Sequence, residues 1–252
     1  MKTIRRAVVI ALAIVTTALS ASAQGGHYIG IRGGAGASKV RFYPRKESKL
    51  LLPNMTYGVA YKYLGGDRFF GGVELDVNYV EKGYKYLVKS DSDSSLQRKL
   101  TAIELPFMWQ PHVWFAQNRA RFFLNAGPYL SYMLKTSDER LVSKKDGEQA
   151  VYSYDFNSLR DNRLEYGLSA GAGFGATIAG RLEVLFEFRY VVGFSDILKN
   201  PNKYPGSITQ ESPIDQMNVT LGIHYLFIRQ SGRSTIAKEP RVSKKERRQR
   251  RQ

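Results

Sequence analysis

Apolar and polar residues alternate with a period of two along much of this 252-residue chain, most clearly in the segment RLEVLFEFRYVVGF from Arg181 to Phe194. This period places successive side chains on opposite faces of a β-strand. The segment therefore predicts a strand with one apolar and one charged face, interrupted only by Leu185. The apolar face holds Leu182, Val184, Phe186, Phe188 and Tyr190, and the charged face holds Arg181, Glu183, Glu187 and Arg189.

Eight segments carry strand-like patterns, and no convincing amphipathic helix lies between them. An even number of consecutive antiparallel strands closes most simply into an up-and-down β-barrel. The predicted fold class is all-β, an antiparallel up-and-down barrel of about eight strands. The predicted strands are Tyr28–Ala37, Met55–Leu64, Phe69–Val80, Leu100–Gln110, Arg121–Leu134, Leu164–Ile178, Arg181–Val192 and Met217–Ile228.

The connections between these segments alternate in length, so that every long loop falls at the same end of the barrel. Outer-membrane barrels have short periplasmic turns and long external loops, whereas a soluble barrel has no strong reason for this pattern. We therefore expect an integral outer-membrane barrel with both termini in the periplasm. The long connections are Ser38–Asn54, Glu81–Lys99, Lys135–Arg163 and Gly193–Gln216, and the shorter ones are Gly65–Arg68, Pro111–Ala120 and Ala179–Gly180.

The sixth predicted strand contains a row of glycines that shows which face is inside. In EYGLSAGAGFGATI the glycines at 167, 171, 173 and 175 share a face with Glu165, Ser169 and Thr177. A solvent-facing row of glycines would weaken a soluble strand without any gain. Inside a narrow barrel the same row makes room for long side chains, which we expect from the next strand. The charged faces are therefore predicted to line the lumen, and the apolar faces to contact lipid.

The predicted lumen of the barrel contains charges of both signs. An eight-stranded interior is just wide enough for side chains to fill it, and an unpaired buried charge is costly. We therefore expect a paired network that plugs the barrel. An ion path and a catalytic carboxylate pair are the alternatives, although small barrels rarely leave a channel. The predicted network is Arg32, Lys62, Glu74, Asp76, Glu104, Arg121, Glu165, Glu183, Glu187 and Arg189.

The N-terminal residues predict export. Met1–Arg6 contains three basic residues, Ala7–Val15 is apolar, and Ala21 and Ala23 are small residues before a cleavage point. Residues 1–23 are therefore predicted to be a cleaved signal peptide. Beyond them no stretch approaches the ~20 apolar residues of a spanning helix, so residues 24–228 are predicted to form the barrel. Cysteine is absent from the chain, which excludes disulfides and thiolate metal sites.

A strongly basic tail follows the last predicted strand. Residues 229–252 contain ten Lys or Arg and two Glu, a net charge of +8 out of +16 for the whole chain. We expect the tail to be disordered and periplasmic. Export argues against nucleic acid, which leaves anionic lipid, the cell wall, an acidic partner, or solvation without any partner. The cations proposed for contact are Lys244, Lys245, Arg247, Arg248, Arg250 and Arg251.

Catalysis is the least supported interpretation. A lipid-modifying barrel needs a serine, a histidine and an acid together near the membrane rim. The chain has three histidines: His27 before the first strand, His112 in a predicted periplasmic turn, and His224 facing the lumen. Ser131 and Ser169 also face the lumen, but nothing in the sequence places either beside His224. We predict no catalytic residues, no metal site and no cofactor.

Four segments of the chain resemble the PorT-like outer-membrane β-barrel family. LTAIELPFMWQ matches a strand of the family through Glu104, Leu105 and Pro106, although Gln110 stands where Lys or Arg is frequent. LEYGLSAGAGFGATI resembles its glycine-rich strand. The following strand resembles the family's at Glu187, Arg189, Tyr190 and Gly193, and NVTLGIHYLF resembles the closing strand. The resemblance covers the whole predicted barrel.

The resemblance implies a function as well as a fold. The namesake of the family belongs to the type IX secretion system, which moves proteins across the outer membrane. The implied function is a non-catalytic accessory component of protein secretion, with other secretion-system proteins and outer-membrane lipid as partners. The alternative is a surface barrel that binds external ligands or matrix through loops such as Ser38–Lys49. The third and weakest interpretation is the lipid-modifying enzyme.

Overall fold

The computed structural model describes residues 26–44, 48–65, 71–88, 91–116, 119–137, 139–143, 149–154, 156–178 and 180–229. The predicted signal peptide and the six cations proposed for contact in the tail lie outside these described residues. Within the described ranges, no helix has the length and apolar character that crossing a membrane requires.

Eight long antiparallel strands form a closed ring. Each pairs with its neighbours, and the last pairs with the first over a long ladder from Gly26↔Arg229 to Val40↔Ile214. The prediction of an eight-stranded up-and-down barrel is therefore confirmed. The described strands are β1 (Gly26–Val40), β2 (Ser48–Lys49), β3 (Leu51–Leu64), β4 (Gly72–Val88), β5 (Asp91–Gln110), β6 (His112–Phe115), β7 (Ala120–Thr136), β8 (Glu139–Ser143), β9 (Gln149–Tyr152), β10 (Leu164–Ile178), β11 (Leu182–Asp196) and β12 (Pro213–Arg229). The ring consists of β1, β3, β4, β5, β7, β10, β11 and β12.

The four short strands lie where the sequence predicted connections. The predicted loop Glu81–Lys99 is wrong, because β4 and β5 continue as a paired hairpin as far as Val88 and Asp91. The predicted loop Lys135–Arg163 contains β8, which pairs with β5, and β9, which pairs with β8. These segments are rich in polar residues, so their strand structure depends on pairing: β4 with β5 and β8 with β9 as local hairpins, and β8 also with the more distant β5. His112 likewise lies in β6, paired with β7, and not in a turn.

The two faces of the ring strands differ as predicted. Apolar side chains are exposed on the outside, with Ile31 at 63% and Leu221 at 62%, whereas Glu183 on the inside is only 1% exposed. A face so apolar suits a lipid environment and would be costly in water. Leu185, the exception in the alternating pattern, is buried.

An apolar cluster occupies each end of the barrel interior. At the end away from the chain termini, here called the long-loop end, the cluster is Val40, Phe42, Tyr84, Leu100, Met133, Ile197 and Ile214. At the terminus end, Tyr28, Leu64 and Leu226 pack together with the half-buried Trp114. The two clusters bury apolar side chains inside the barrel, in addition to the apolar side chains on its outer wall. Between them lies the charged part of the lumen.

The glycine row of β10 makes room for side chains of both neighbouring strands, and mainly those of β7. A Cβ at position 171 would lie 2.7 Å from Asn125 Oδ1, and one at 173 would overlap the ring of Phe123. At position 175 the predicted neighbour β11 supplies the nearest side-chain contact, through Glu183 Oε1 at 2.5 Å. At 171 and 173 β11 contributes only backbone atoms, and the side chains in contact belong to β7, whose large inward residues lie in register with the glycines.

Replacing Gly173 with valine is expected to destabilise the barrel by about 1–3 kcal/mol, because the new side chain would overpack against Phe123 and the backbone of Phe186. Gly33 is the matched control, since the nearest atom to a Cβ there is 3.9 Å away. Urea unfolding of the refolded barrel, followed by tryptophan fluorescence, measures both variants. An equal loss of stability for Gly33→Val would contradict the explanation by local packing.

Candidate functional site: the ion-paired lumen

The structure places all ten predicted lumen residues inside the barrel, where each is buried. It separates them into three groups along the barrel axis. The terminus-end triad is Lys62, Arg121 and Glu183; the central cluster is Arg32, Glu74, Asp76, Glu187 and Arg189; the loop-end cluster is Glu104 and Glu165 together with Lys82.

The terminus-end triad joins three strands through a single carboxylate. Lys62 Nζ of β3 donates to Glu183 Oε2 at 2.5 Å, and Arg121 Nε of β7 donates to Glu183 Oε1 at 2.5 Å. The Arg121 guanidinium also lies over the ring of Phe123, 4.6 Å from its centroid. Both carboxylate oxygens of Glu183 are therefore used, and the group links distant parts of the ring across the lumen.

The central cluster pairs two guanidinium groups with three carboxylates. Arg32 contacts Glu74, and its Nη1 lies 3.0 Å from Asp76 and 3.2 Å from Glu187. Arg189 lies 2.6 Å from Glu187, 2.9 Å from Asp76 and 3.3 Å from Glu74. Taken with the triad, four cations face four carboxylates. Such mutual pairing is what allows ions to be retained away from water.

Gln110 connects these two groups. Its Oε1 accepts a hydrogen bond from Arg121 Nη1 at 2.8 Å, and its Nε2 donates to Glu74 Oε2 at 3.3 Å. A neutral amide can satisfy both neighbours because it carries a donor and an acceptor. Lysine or arginine at this position, as is frequent in the PorT-like pattern, would add a fifth cation beside Arg121 and remove the acceptor.

The loop-end cluster depends on Lys82, which the sequence analysis missed. Lys82 Nζ donates to Glu165 Oε2 at 2.6 Å and to Ser131 Oγ at 2.8 Å, and it lies 3.9 Å from Glu104 Oε2. Gln216 Nε2 also donates to Glu104, at 3.2 Å. Lys82 lies in the predicted loop Glu81–Lys99, although it continues the period-two series of inward residues from Glu74. That continued period was the signal that could have found it.

Little space remains among these side chains. The lumen cavity beside Arg32, Glu104 and Arg189 has a volume of about 10 Å³. This is roughly the space that a single water molecule needs. Its lining includes residues of the central and loop-end clusters, and side chains of the terminus-end triad and of the two apolar clusters fill other levels of the interior.

Residues 22–199 match the family described as the outer membrane protein β-barrel domain. The chain belongs to this family. It is an integral outer-membrane β-barrel protein, as the closed ring and its apolar outer wall require. No curated protein matches the chain in sequence.

Solved structures similar to this outer-membrane barrel have low sequence identity to it. Neisserial surface protein A is 11% identical, with a TM-score of 0.41, covering 82% of this chain and 100% of that one. OprG from Pseudomonas aeruginosa is 14% identical, with a TM-score of 0.46, covering 81% and 97%. Ail of Yersinia pestis, in complex with the heparin analogue sucrose octasulfate, is 11% identical, with a TM-score of 0.36, covering 81% and 100%.

The histidines of the barrel are not joined to its lumen serines. His224 is fully buried, and neither of its ring nitrogens has a hydrogen-bond partner among the described residues. Ser131 instead accepts a hydrogen bond from Lys82. His27 bonds to the hydroxyl of Tyr61 at 2.7 Å, and His112 bonds to the backbone of Gln110. The described part of the barrel therefore does not assemble a serine, a histidine and an acid as acyl transfer requires.

The carboxylates and histidines that the structure describes are not grouped as metal ligands. In the described ranges of the chain, no group of three or more His, Asp or Glu side chains is arranged to hold a metal ion. The carboxylates of the lumen are instead directed at Arg and Lys side chains. Their arrangement is that of an ion-paired filling.

Proposed function

We propose that this outer-membrane barrel is a non-catalytic accessory component of protein secretion of the type IX kind. It acts by docking other proteins and conducts nothing through its lumen. The observation that carries the proposal is the filled interior, in which ion pairs such as Lys62–Glu183 and Lys82–Glu165 cross the lumen. An eight-stranded barrel is in any case too narrow for a folded cargo.

The residues that resemble the PorT-like family support this proposal in a specific way. Glu104 belongs to the loop-end cluster, and Glu187 and Arg189 belong to the central cluster. The three charged positions of the resemblance thus help to fill the lumen, whereas Leu105 and Tyr190 lie on the outer wall. A filled lumen leaves the two rims as docking surfaces. With the termini in the periplasm, the basic tail supplies the periplasmic surface, where Lys244, Lys245 and the four following arginines attract acidic partners or anionic lipid.

The test of this function is the extracellular protein profile of a strain that lacks the gene, compared with the complemented strain. We expect secreted proteins to accumulate in the periplasm and complementation to reverse the effect. A second complementation uses a shortened chain that ends at Arg229, and it distinguishes the contribution of the barrel from that of the tail. We expect this shortened protein to insert into the membrane but not to restore secretion. Normal secretion in the deletion strain would exclude the proposed function.

The filled lumen also predicts a null result in electrophysiology. Purified barrel inserted into planar lipid bilayers is expected to give no stable conductance steps, because side chains occupy the interior at several levels. Insertion is verified in parallel by the different gel mobility of unheated and boiled samples recovered from vesicles. Regular ohmic steps from a correctly inserted barrel would support the ion-path alternative.

The long-loop end favours a second candidate function, the binding of external ligands. Hairpin β4–β5 and strands β8 and β9 extend the sheet beyond the ring, and the edge strand β9 exposes Val151 and Tyr152 at 58% and 53%. Replacing residues 139–152 with a short Gly-Ser turn tests this function through the adhesion of cells to plates coated with extracellular-matrix protein. Reduced binding with unchanged secretion would favour the second candidate over the first.

A further inference from the structure

A groove lies on the outer wall of the barrel near its long-loop end, and its lining reaches Gln216, whose side chain bonds to Glu104 in the lumen. The volume of the groove is about 170 Å³. Tyr190 in its lining belongs to the lipid-facing row of β11 and is 40% exposed. The groove is mostly apolar, and the residues that matter here are Ala37, Lys39, Leu50, Tyr190, Asp215 and Met217.

Two irregularities in strand pairing lie beside the groove. In the β1–β3 ladder, Gly36 pairs with Asn54 but Ser38 pairs with Leu51, so β3 carries one extra residue at this point. In the β11–β12 ladder, regular pairing stops after Val192. Such bulges bend a strand locally and change the direction of its side chains. They explain why a recess, and not a smooth row of side chains, is present at this level of the wall.

Of the two cations beside the groove, Arg41 forms an ion pair with Asp215, and Lys39 forms none with the described residues. Lys39 and Asp215 are opposite each other in the β1–β12 ladder, but no ion pair joins them. Asp215 Oδ2 instead lies 2.9 Å from Arg41 Nε, and the same arginine donates to the carbonyl of Gly193 at 2.7 Å. The acid is therefore neutralised by Arg41. Lys39 is exposed and has no hydrogen-bond or ionic partner among the described residues.

We propose that this groove binds an acyl chain of one outer-leaflet lipid, whose phosphate contacts Lys39. The ligand class is a phosphorylated glycolipid such as lipid A. An apolar recess that opens toward lipid suits an acyl chain, and a lysine at the membrane interface extends its ammonium toward headgroups. Tyr190 is of the residue type enriched at that interface. The choice of the outer leaflet rests on the orientation assumed in the proposed function, with the long-loop end outside.

The binding test uses the purified full-length barrel in detergent, titrated with lipid A and measured by native mass spectrometry. We expect one lipid A per barrel, and an affinity about tenfold weaker for Lys39→Gln, the effect of losing one charge-assisted hydrogen bond. Lipid A without its phosphates should bind the wild type and Lys39→Gln equally. Met217→Trp, which fills the groove, should weaken both lipids. The exposed cation Lys135, changed to Gln, is the matched control.

Three results would overturn the proposal. They are an absence of saturable binding, an equal effect of Lys39→Gln and Lys135→Gln, and phosphatidylglycerol binding as tightly as lipid A, which would make the occupant an ordinary phospholipid.

The orientation of the barrel in the membrane is tested separately by labelling a single introduced cysteine. This is possible because the chain has no cysteine of its own. Ile208 at the long-loop end is 79% exposed. An Ile208→Cys variant should react with a membrane-impermeant maleimide in intact cells. A lack of labelling in cells, with labelling after lysis, would overturn the outer-leaflet source. Neither result depends on whether secretion is impaired, so failure here is distinguishable from failure of the proposed function.

Discussion

Replacing Glu183 with leucine is expected to destabilise the folded barrel by about 3–5 kcal/mol, because it leaves two cations buried without their shared carboxylate. Lys62 and Arg121 are both 0% exposed; Lys62 donates to Oε2 of Glu183, and Arg121 donates to both of its carboxylate oxygens. Gln110 still accepts a hydrogen bond from Arg121, but no carboxylate within ion-pair distance remains for either cation in the described part of the lumen. Neither cation can reach water without moving the packed side chains around it.

The measurement is reversible urea unfolding of refolded barrel in lipid vesicles, with Trp109 and Trp114 as fluorescent reporters. Glu183→Gln should lose less stability than Glu183→Leu, since the amide keeps an acceptor for one of the two donors. The matched control is Glu211→Leu, at an exposed glutamate of the long-loop end. Comparable losses at positions 183 and 211 would mean that the triad does not stabilise the barrel.

Replacing Lys82 with methionine is expected to cost about 3 kcal/mol or more, because Glu165 and Glu104 would lose their only cation within ion-pair distance in the described structure. Methionine keeps much of the apolar length of lysine, so the change tests the charge and not the volume. Ser131 would also lose the donor that now contacts its hydroxyl at 2.8 Å. The same unfolding experiment reports the effect.

A double variant distinguishes this ion pair from general damage to the fold. Lys82→Met combined with Glu165→Leu removes both partners, so it should be more stable than the sum of the two single losses predicts. Lys135→Met, at an exposed lysine of β7, should leave stability within about 0.5 kcal/mol of the wild type. Additive losses in the double variant would contradict direct pairing between Lys82 and Glu165.

These lumen residues connect stability to the proposed function. A barrel whose interior is held by cross-lumen ion pairs is stable in its closed form, and opening it would separate charges such as Arg189 and Asp76, now 2.9 Å apart. The long-loop rim, the lipid-facing wall and the tail are then the surfaces left for partners. Variants in the lumen are therefore expected to alter stability, whereas deletion of the tail or of residues 139–152 alters interactions.

The sequence alone determined the number of barrel strands, their inner and outer faces, and the ten charges that line the lumen. This was possible because a period of two is a local property of a strand, and a closed barrel in lipid requires the polar face to be inside. The alternation around Glu183 and Arg189 could be read without knowing which strands neighbour them.

Only the tertiary structure decided which groups meet. The pairing of Lys82 with Glu165, the packing of Phe123 against the glycine row, the pairing of β8 with β5, and the groove beside Lys39 all depend on register between strands that are distant in sequence. The register of each strand is set by pairing and packing around the whole ring, and the local pattern of apolar and polar residues does not specify it. The sequence therefore predicts a loop for the polar segment 81–99, whereas the structure shows there a paired extension of β4 and β5.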